Sequence, residues 1–236
     1  MESRHELQRI YELPVVKVPL RLPDQRRVMP AQIYADGGAL WPAVVAGVRE
    51  IHAQGRPVLV GTDSVVDSET LSRLLRAAGL PHALLNASQD RFEADVIAAA
   101  GAPGAITVAT NMAGRGTDIL LSGASREAGG LHVICCQQNA SRRIDRQLMG
   151  RCARQGDPGS LQRFISLSGP LLVQNTMAKV LKNINRNKYL QLLWLAPAVL
   201  RQAQRAAERR HRIERGMLLR QDQRMNDWFA FSGTEQ

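Results

Sequence analysis

The stretch PVLVGTDSVVDSETLSRLLRAAGLPHALL, Pro57 to Leu85, changes its apolar period twice. A β-rich run ends at Gly61. Leu71, Leu74, Leu75 and Ala78 then follow the i, i+3, i+4, i+7 spacing of a helix, and His82 to Leu85 returns to a short apolar run. Asp67 stands where an N-cap is wanted and Gly79 where the helix must stop. Strand, helix and strand in this order predict one βαβ unit of a parallel sheet.

The same alternation continues downstream. Asp90 and Glu93 are spaced like a capping box ahead of Phe92, Val96 and Ala99, and Gly101 closes that helix. Further strands are predicted at Ala105 to Ala109, Leu131 to Cys135 and Arg163 to Leu167. Five strands suffice for a small doubly wound α/β domain. Right-handed crossovers lay them side by side and send their carboxyl ends to one edge, where open sheets bind ligands. The expected boundaries are an extended arm over residues 1–35, the α/β domain over 36–169 and a helical extension over 170–236. In the extension Val199, Ala203, Ala206, Ile213 and Met217 recur near every 3.5 residues, among eight arginines between Arg201 and Arg224. A basic helix with one apolar stripe calls for a partner surface.

Composition narrows the classes. The 236 residues carry a formal charge of +10, and only Lys17, Lys179, Lys182 and Lys188 are lysines. Arginine favours bidentate contacts with phosphate and carboxylate. That balance suits nucleotides, nucleic acid, anionic lipid or an acidic protein. Cys135, Cys136 and Cys152 form no CxxC pair and have no metal-ligand spacing with a histidine, so no metal site is expected and a reducing compartment is. No signal peptide is evident at the amino end. The most apolar stretch, Tyr189 to Leu200, is interrupted by Pro197 and falls short of the roughly 20 residues of a membrane helix.

Two segments carry candidate chemistry. TNMAGRGTDI, Thr110 to Ile119, leaves the third strand with Gly114 and Gly116 around Arg115 and with Asp118 two residues on. Glycines admit a close ligand, arginine offers a cation for phosphate, and aspartate accepts from a hydroxyl. In QLMGRCARQGDPG, Gln147 to Gly159, Arg151 and Arg154 are three apart, and if the segment is helical or one tight turn they project from the same side. Two fixed guanidinium groups suit the equatorial oxygens of a transferring phosphoryl group, where arginine fingers are worth on the order of 10³ to 10⁵ in rate. The competing reading pairs both arginines with Asp145 or Asp157.

Together with VLVGT, GGLHVI and SRRIDRQLMGR, these phrases resemble the second RecA-like lobe of SecA-type preprotein translocase motors, within the superfamily 2 helicase-type ATPases. QRIYELPVVKVP (Gln8 to Pro19) is similar to the segment by which that family's chain enters the lobe. Gln202 to Asp227 is similar to the start of its helical scaffold. The resemblance implies a RecA-like parallel sheet flanked by helices, with Arg151 and Arg154 on the ATP phosphates and Gly114, Arg115, Gly116 and Asp118 lining the nucleotide cleft. It further implies that Gln147 couples the cleft to lobe movement. As partners it implies a P-loop lobe, the SecY channel, unfolded preprotein and anionic lipid, and as location the cytoplasm and the inner face of the bacterial plasma membrane. Two departures stand out. Cys152 and Ala153 replace the family's Ser-Gly, which stiffens the loop, and Cys135, Cys136 and Gln137 replace its Gly-Thr-Glu.

Nothing in the sequence matches GxxxxGK[ST], and no Asp-Glu pair ends an apolar strand. The expectation is half of a composite ATP site, inactive alone, with Mg²⁺ held by the other half. Two alternatives stand beside it: an arginine-rich nucleic-acid module, for which ten aromatic residues give little stacking surface, and an inert fragment of a longer translocase.

Overall fold

A computed structural model describes residues 4–85, 93–110, 117–174 and 196–232. The expected α/β architecture is present. Strands β1 (Arg26–Val28), β2 (Gln32–Tyr34), β3 (Val58–Thr62), β4 (Ala83–Leu85), β5 (Ile106–Thr110), β6 (Leu131–Cys135) and β7 (Gly159–Ser166) form one parallel sheet. Helices are α1 (Arg4–Tyr11), α2 (Gly37–Ala53), α3 (Val65–Ala77), α4 (Glu93–Ala99), α5 (Gly123–Glu127), α6 (Arg142–Met149), α7 (Pro170–Gln174) and α8 (Ala196–Ser232).

The strands run β1-β7-β6-β3-β5-β4, with β2 also on β7. Consecutive strands are therefore not all neighbours, as the side-by-side expectation had them: β5 lies between β3 and β4, and β3 between β5 and β6. Alternate side chains of each strand point to opposite faces. Val58 and Val60 bury with Leu40, Val44, Leu71 and Leu75 of α2 and α3, whereas Leu59 buries with Ile97, Leu131 and Leu148 on the face covered by α4 and α6. Helix α3 begins three residues earlier than expected. Its cap is Ser64, whose Oγ accepts from the Asp67 amide at 3.0 Å, so Asp67 sits in the first turn. It stops as expected at Gly79, with φ +71°. The Asp90 half of the proposed capping box lies outside the described residues.

Two regions depart from the sequence reading. Residues 1–35 are not uniformly extended: α1 occupies Arg4–Tyr11, and β1 and β2 pair in parallel with the two halves of β7, Gly159–Leu161 and Phe164–Ser166. The arm is thus the edge of the sheet. In α8 the buried face is Ala196, Leu200, Ala203 and Ala207, and the apolar Ile213 and Met217 are exposed. The first turns of α8 dock against Ile165, Leu167 and Leu172. Among the described residues no helix is long and apolar enough to cross a membrane.

Candidate functional site

Helix α6 begins beyond the carboxyl end of β6. Ser141 caps it, and Leu148 lies over Gly61, where a Cβ would come within 2.2 Å of the leucine side chain. Eight residues rise about 12 Å, close to the length of the strands they cross. Gly150 to Arg154 therefore arrive at the opposite edge from where α6 started. There a Cβ on Gly159, the first residue of β7, would meet Ala153 N at 2.8 Å and Cys152 Cβ at 3.1 Å. The carboxyl-edge expectation consequently fails for this turn, which sits beside the starts of β6 and β7. The carboxyl edge carries a separate cavity of about 370 Å³, lined among others by Trp41, Asp63, Asp67 and Gln137.

The turn is tight. Gly150 N donates to Arg146 O at 2.7 Å and Arg151 N to Leu148 O at 3.0 Å. Ala153 and Gln155 then adopt φ of 55° and 53°, left-handed conformations that cost a non-glycine residue about 1 to 2 kcal/mol each. Residues of the arm brace it: Arg26 Nη2 donates to Cys152 O at 3.2 Å, and Gln25 Nε2 to Gly156 O at 2.6 Å.

On the facing segment, Leu120 is held against Gly101, where a Cβ would lie 2.0 Å from the leucine carbonyl oxygen. This places Thr117 and Asp118 within reach of both arginines. Arg151 Nη1 donates to Thr117 O at 2.8 Å, and Arg154 Nη1 to Asp118 Oδ1 at 2.8 Å while its Nε holds Gly150 O at 2.7 Å. Gln155 Nε2 donates to Asp118 Oδ2 at 3.1 Å. Burial pushes the Asp118 carboxyl up, but the bonds from Arg154, Gln155 and the Ile119 amide outweigh it and hold it below the usual carboxylate range. Asp157 is occupied by Arg126 at 2.8 Å, and Asp145 by Asn139 and Gln204, so Arg154 takes neither aspartate of the competing reading.

Arg151, Arg154 and Asp118 are thus brought together from motifs more than thirty residues apart. Gln147 lies on the exposed side of α6, one turn before Arg151. Gly114, Arg115 and Gly116 lie outside the described residues. Sequence reasoning missed Gln155, although it directly follows Arg154 in the motif. It also missed Gln25 and Arg26, for which no local pattern gave a signal.

The SecA P-loop domain family matches residues 23–128 and 124–190, more than half of the chain. The chain belongs to the SecA family. The protein translocase subunit SecA 2 of Bordetella avium is 46% identical over 235 residues, 98% of this chain and 36% of that protein. SecA 3 of Magnetococcus marinus is 45% identical over 237 residues, covering 97% of this chain and 35% of its own length. The chain thus spans about a third of the length of these SecA relatives. Among solved structures, the E. coli DEAD-box protein SrmB bound to regulator of ribonuclease activity A is 18% identical with TM-score 0.48, covering 68% of this chain and 87% of that one.

Proposed function

We propose that this chain supplies the arginine-finger half of a composite ATP site in a SecA-type protein translocase motor and is inactive without a P-loop lobe. One observation carries the reading: Arg151 and Arg154, from one end of α6, both reach the Thr117–Asp118 segment at 2.8 Å.

The residues fit a nucleotide. The Arg154 and Asp118 side chains are 39% and 35% exposed, so a guanidinium and a carboxylate are both presented to solvent at a site with fixed backbone. With ATP bound, the chemistry is phosphoryl transfer. Arg154 is oriented by Gly150 O and Asp118, and it offers Nη2, which has no partner among the described residues, to developing negative charge. Arg151 adds a second cation, and the Asp118 carboxylate accepts from a hydroxyl. By family resemblance Gly114, Arg115 and Gly116 belong to the same nucleotide site, and Gln147 couples it to movement of the lobe. By family, Mg²⁺ belongs with the P-loop lobe. By family, the partners are that lobe, the SecY channel and unfolded preprotein, at the cytoplasmic face of the bacterial plasma membrane.

The test is complementation. The chain is mixed with the P-loop lobe of a SecA homologue and phosphate release from ATP is followed. Turnover is expected only in the mixture, and Arg154→Ala should lower it by on the order of 10³. Unchanged ATP affinity and turnover on mixing would refute the composite site. So would turnover by the chain alone that Arg154→Ala abolishes.

A further inference from the structure

On the far side of α6 from the Asp118 contacts lies a cavity of about 660 Å³ between α6, α8 and β7. Its floor is apolar, with Ile33, Ile165 and Leu200. Arg142 and Arg146 enter it from successive turns of α6, Arg201 and Arg205 from successive turns of α8, and Arg163 from β7. Among the described residues the lining holds one carboxylate, Asp145, which is buried and already bonded to Asn139 and Gln204.

A nearby cluster shows how arginines are neutralised when their role is structural. Glu6 takes Arg215 through both oxygens at 2.8 and 3.0 Å, with Arg212 at 3.9 Å. Among the described residues, none of Arg142, Arg163, Arg201 and Arg205 forms an ion pair within 4.0 Å. The first turn of α8 carries no acidic residue, and Arg201 and Arg205 follow close behind it. Like charges gathered over an apolar floor repel one another, and an anion between them adds an attraction to each guanidinium that offsets this repulsion. Guanidinium forks match phosphate oxygens in pairs.

We propose that this cavity binds a phosphate-bearing anion, the phosphate coming from a free oligophosphate or from an anionic lipid headgroup. The site is independent of the Asp118 cluster and of any P-loop partner.

Titration calorimetry of the full chain with tripolyphosphate tests it. The unaltered chain should bind, and Arg201→Gln/Arg205→Gln should weaken binding at least tenfold. Arg220→Gln/Arg224→Gln, which removes the same charge further along α8, should change it less than twofold. Circular dichroism should show equal helix content in all three. Cosedimentation with phosphatidylglycerol vesicles, against phosphatidylcholine, separates the sources. Vesicle binding lost in the first double variant assigns the phosphate to lipid, and vesicle binding indifferent to it assigns a free oligophosphate. No tripolyphosphate binding by the unaltered chain, or equal weakening in both double variants, overturns the proposal.

Discussion

His132, the second residue of β6, has no solvent exposure; its Nδ1 meets Ser160 Oγ at 2.7 Å and its Nε2 finds no partner among the described residues. Burial, with help from the nearby Arg56 guanidinium, lowers its pKa from 6.5 to about 4. The unfolded chain therefore binds a proton below pH 6.5 that the folded chain refuses until about pH 4, and stability falls as pH drops through that window. At 1.36 kcal/mol per unit the loss amounts to about 3 kcal/mol. Asp63 and Asp145, raised by burial, act with the opposite sign. The measurement is accordingly a difference: urea midpoints at pH 7.5 and pH 4.5 for the parent and for His132→Asn. The parent should lose the more stability on acidification; equal losses would show that the imidazole does not resist protonation. None of this was legible from the sequence, because a histidine in an apolar run reads the same whether or not a hydroxyl from the next strand awaits it. The arginine pair was named from its motif, but the spacing of Arg151 and Arg154 did not force a common direction, because both lie past the end of α6 with the left-handed Ala153 between them. Their partner was not legible, because Asp118 reaches them only through the fold.

At the scale of elements, strands with continuous apolar runs were readable: β6 lies where periodicity puts it, and β3 and β5 are each displaced by one residue. Helix α2 was not read. Its burial pattern, Leu40, Val44, Val48 and Ile51, is helical, but Pro42, three glycines and several valines lower its intrinsic propensity, and packing on Phe164 and β3 decides the matter. The docking of α8 was likewise hidden, because its central contact is polar. Asp145 Oδ1 accepts from Asn139 N at 3.0 Å and Nδ2 at 2.8 Å, while Gln204 Nε2 bridges Asp145 Oδ2 at 2.6 Å and Asn139 O at 2.9 Å. This network ties α6, whose end carries the arginines, to the long helix. Gln204→Leu leaves a buried carboxylate oxygen and a buried carbonyl without their donor, at a cost of about 2 to 3 kcal/mol. Amide exchange over 197–207 should rise with the drop in denaturant midpoint. A midpoint that drops while exchange in α8 stays put would separate the network from helix docking.

Over the whole molecule, the sheet ends on one side in β4 and on the other in a strand made of two pieces. Between them β1 and β2 bond to almost the full length of β7, bridged by Met29 N donating to Leu161 O at 2.8 Å. Without them, an eight-residue strand with buried Leu161, Phe164 and Ile165 would present its open backbone groups to solvent, a template for pairing with another chain. The preceding residues do no such work, since Val16, Val18 and Leu20 are more than 70% exposed and α1 is held through Glu6 on the surface of α8. Deletion of residues 1–21 should therefore leave sedimentation and melting close to the parent. Deletion of residues 1–35 should give a species that associates with rising concentration and loses the Arg26 and Gln25 braces on the turn carrying Arg154. Sedimentation velocity over a concentration series distinguishes the two truncations. Identical behaviour would mean that the arm does not protect the β7 edge, and that the turn holds its left-handed residues without support from the amino-terminal segment.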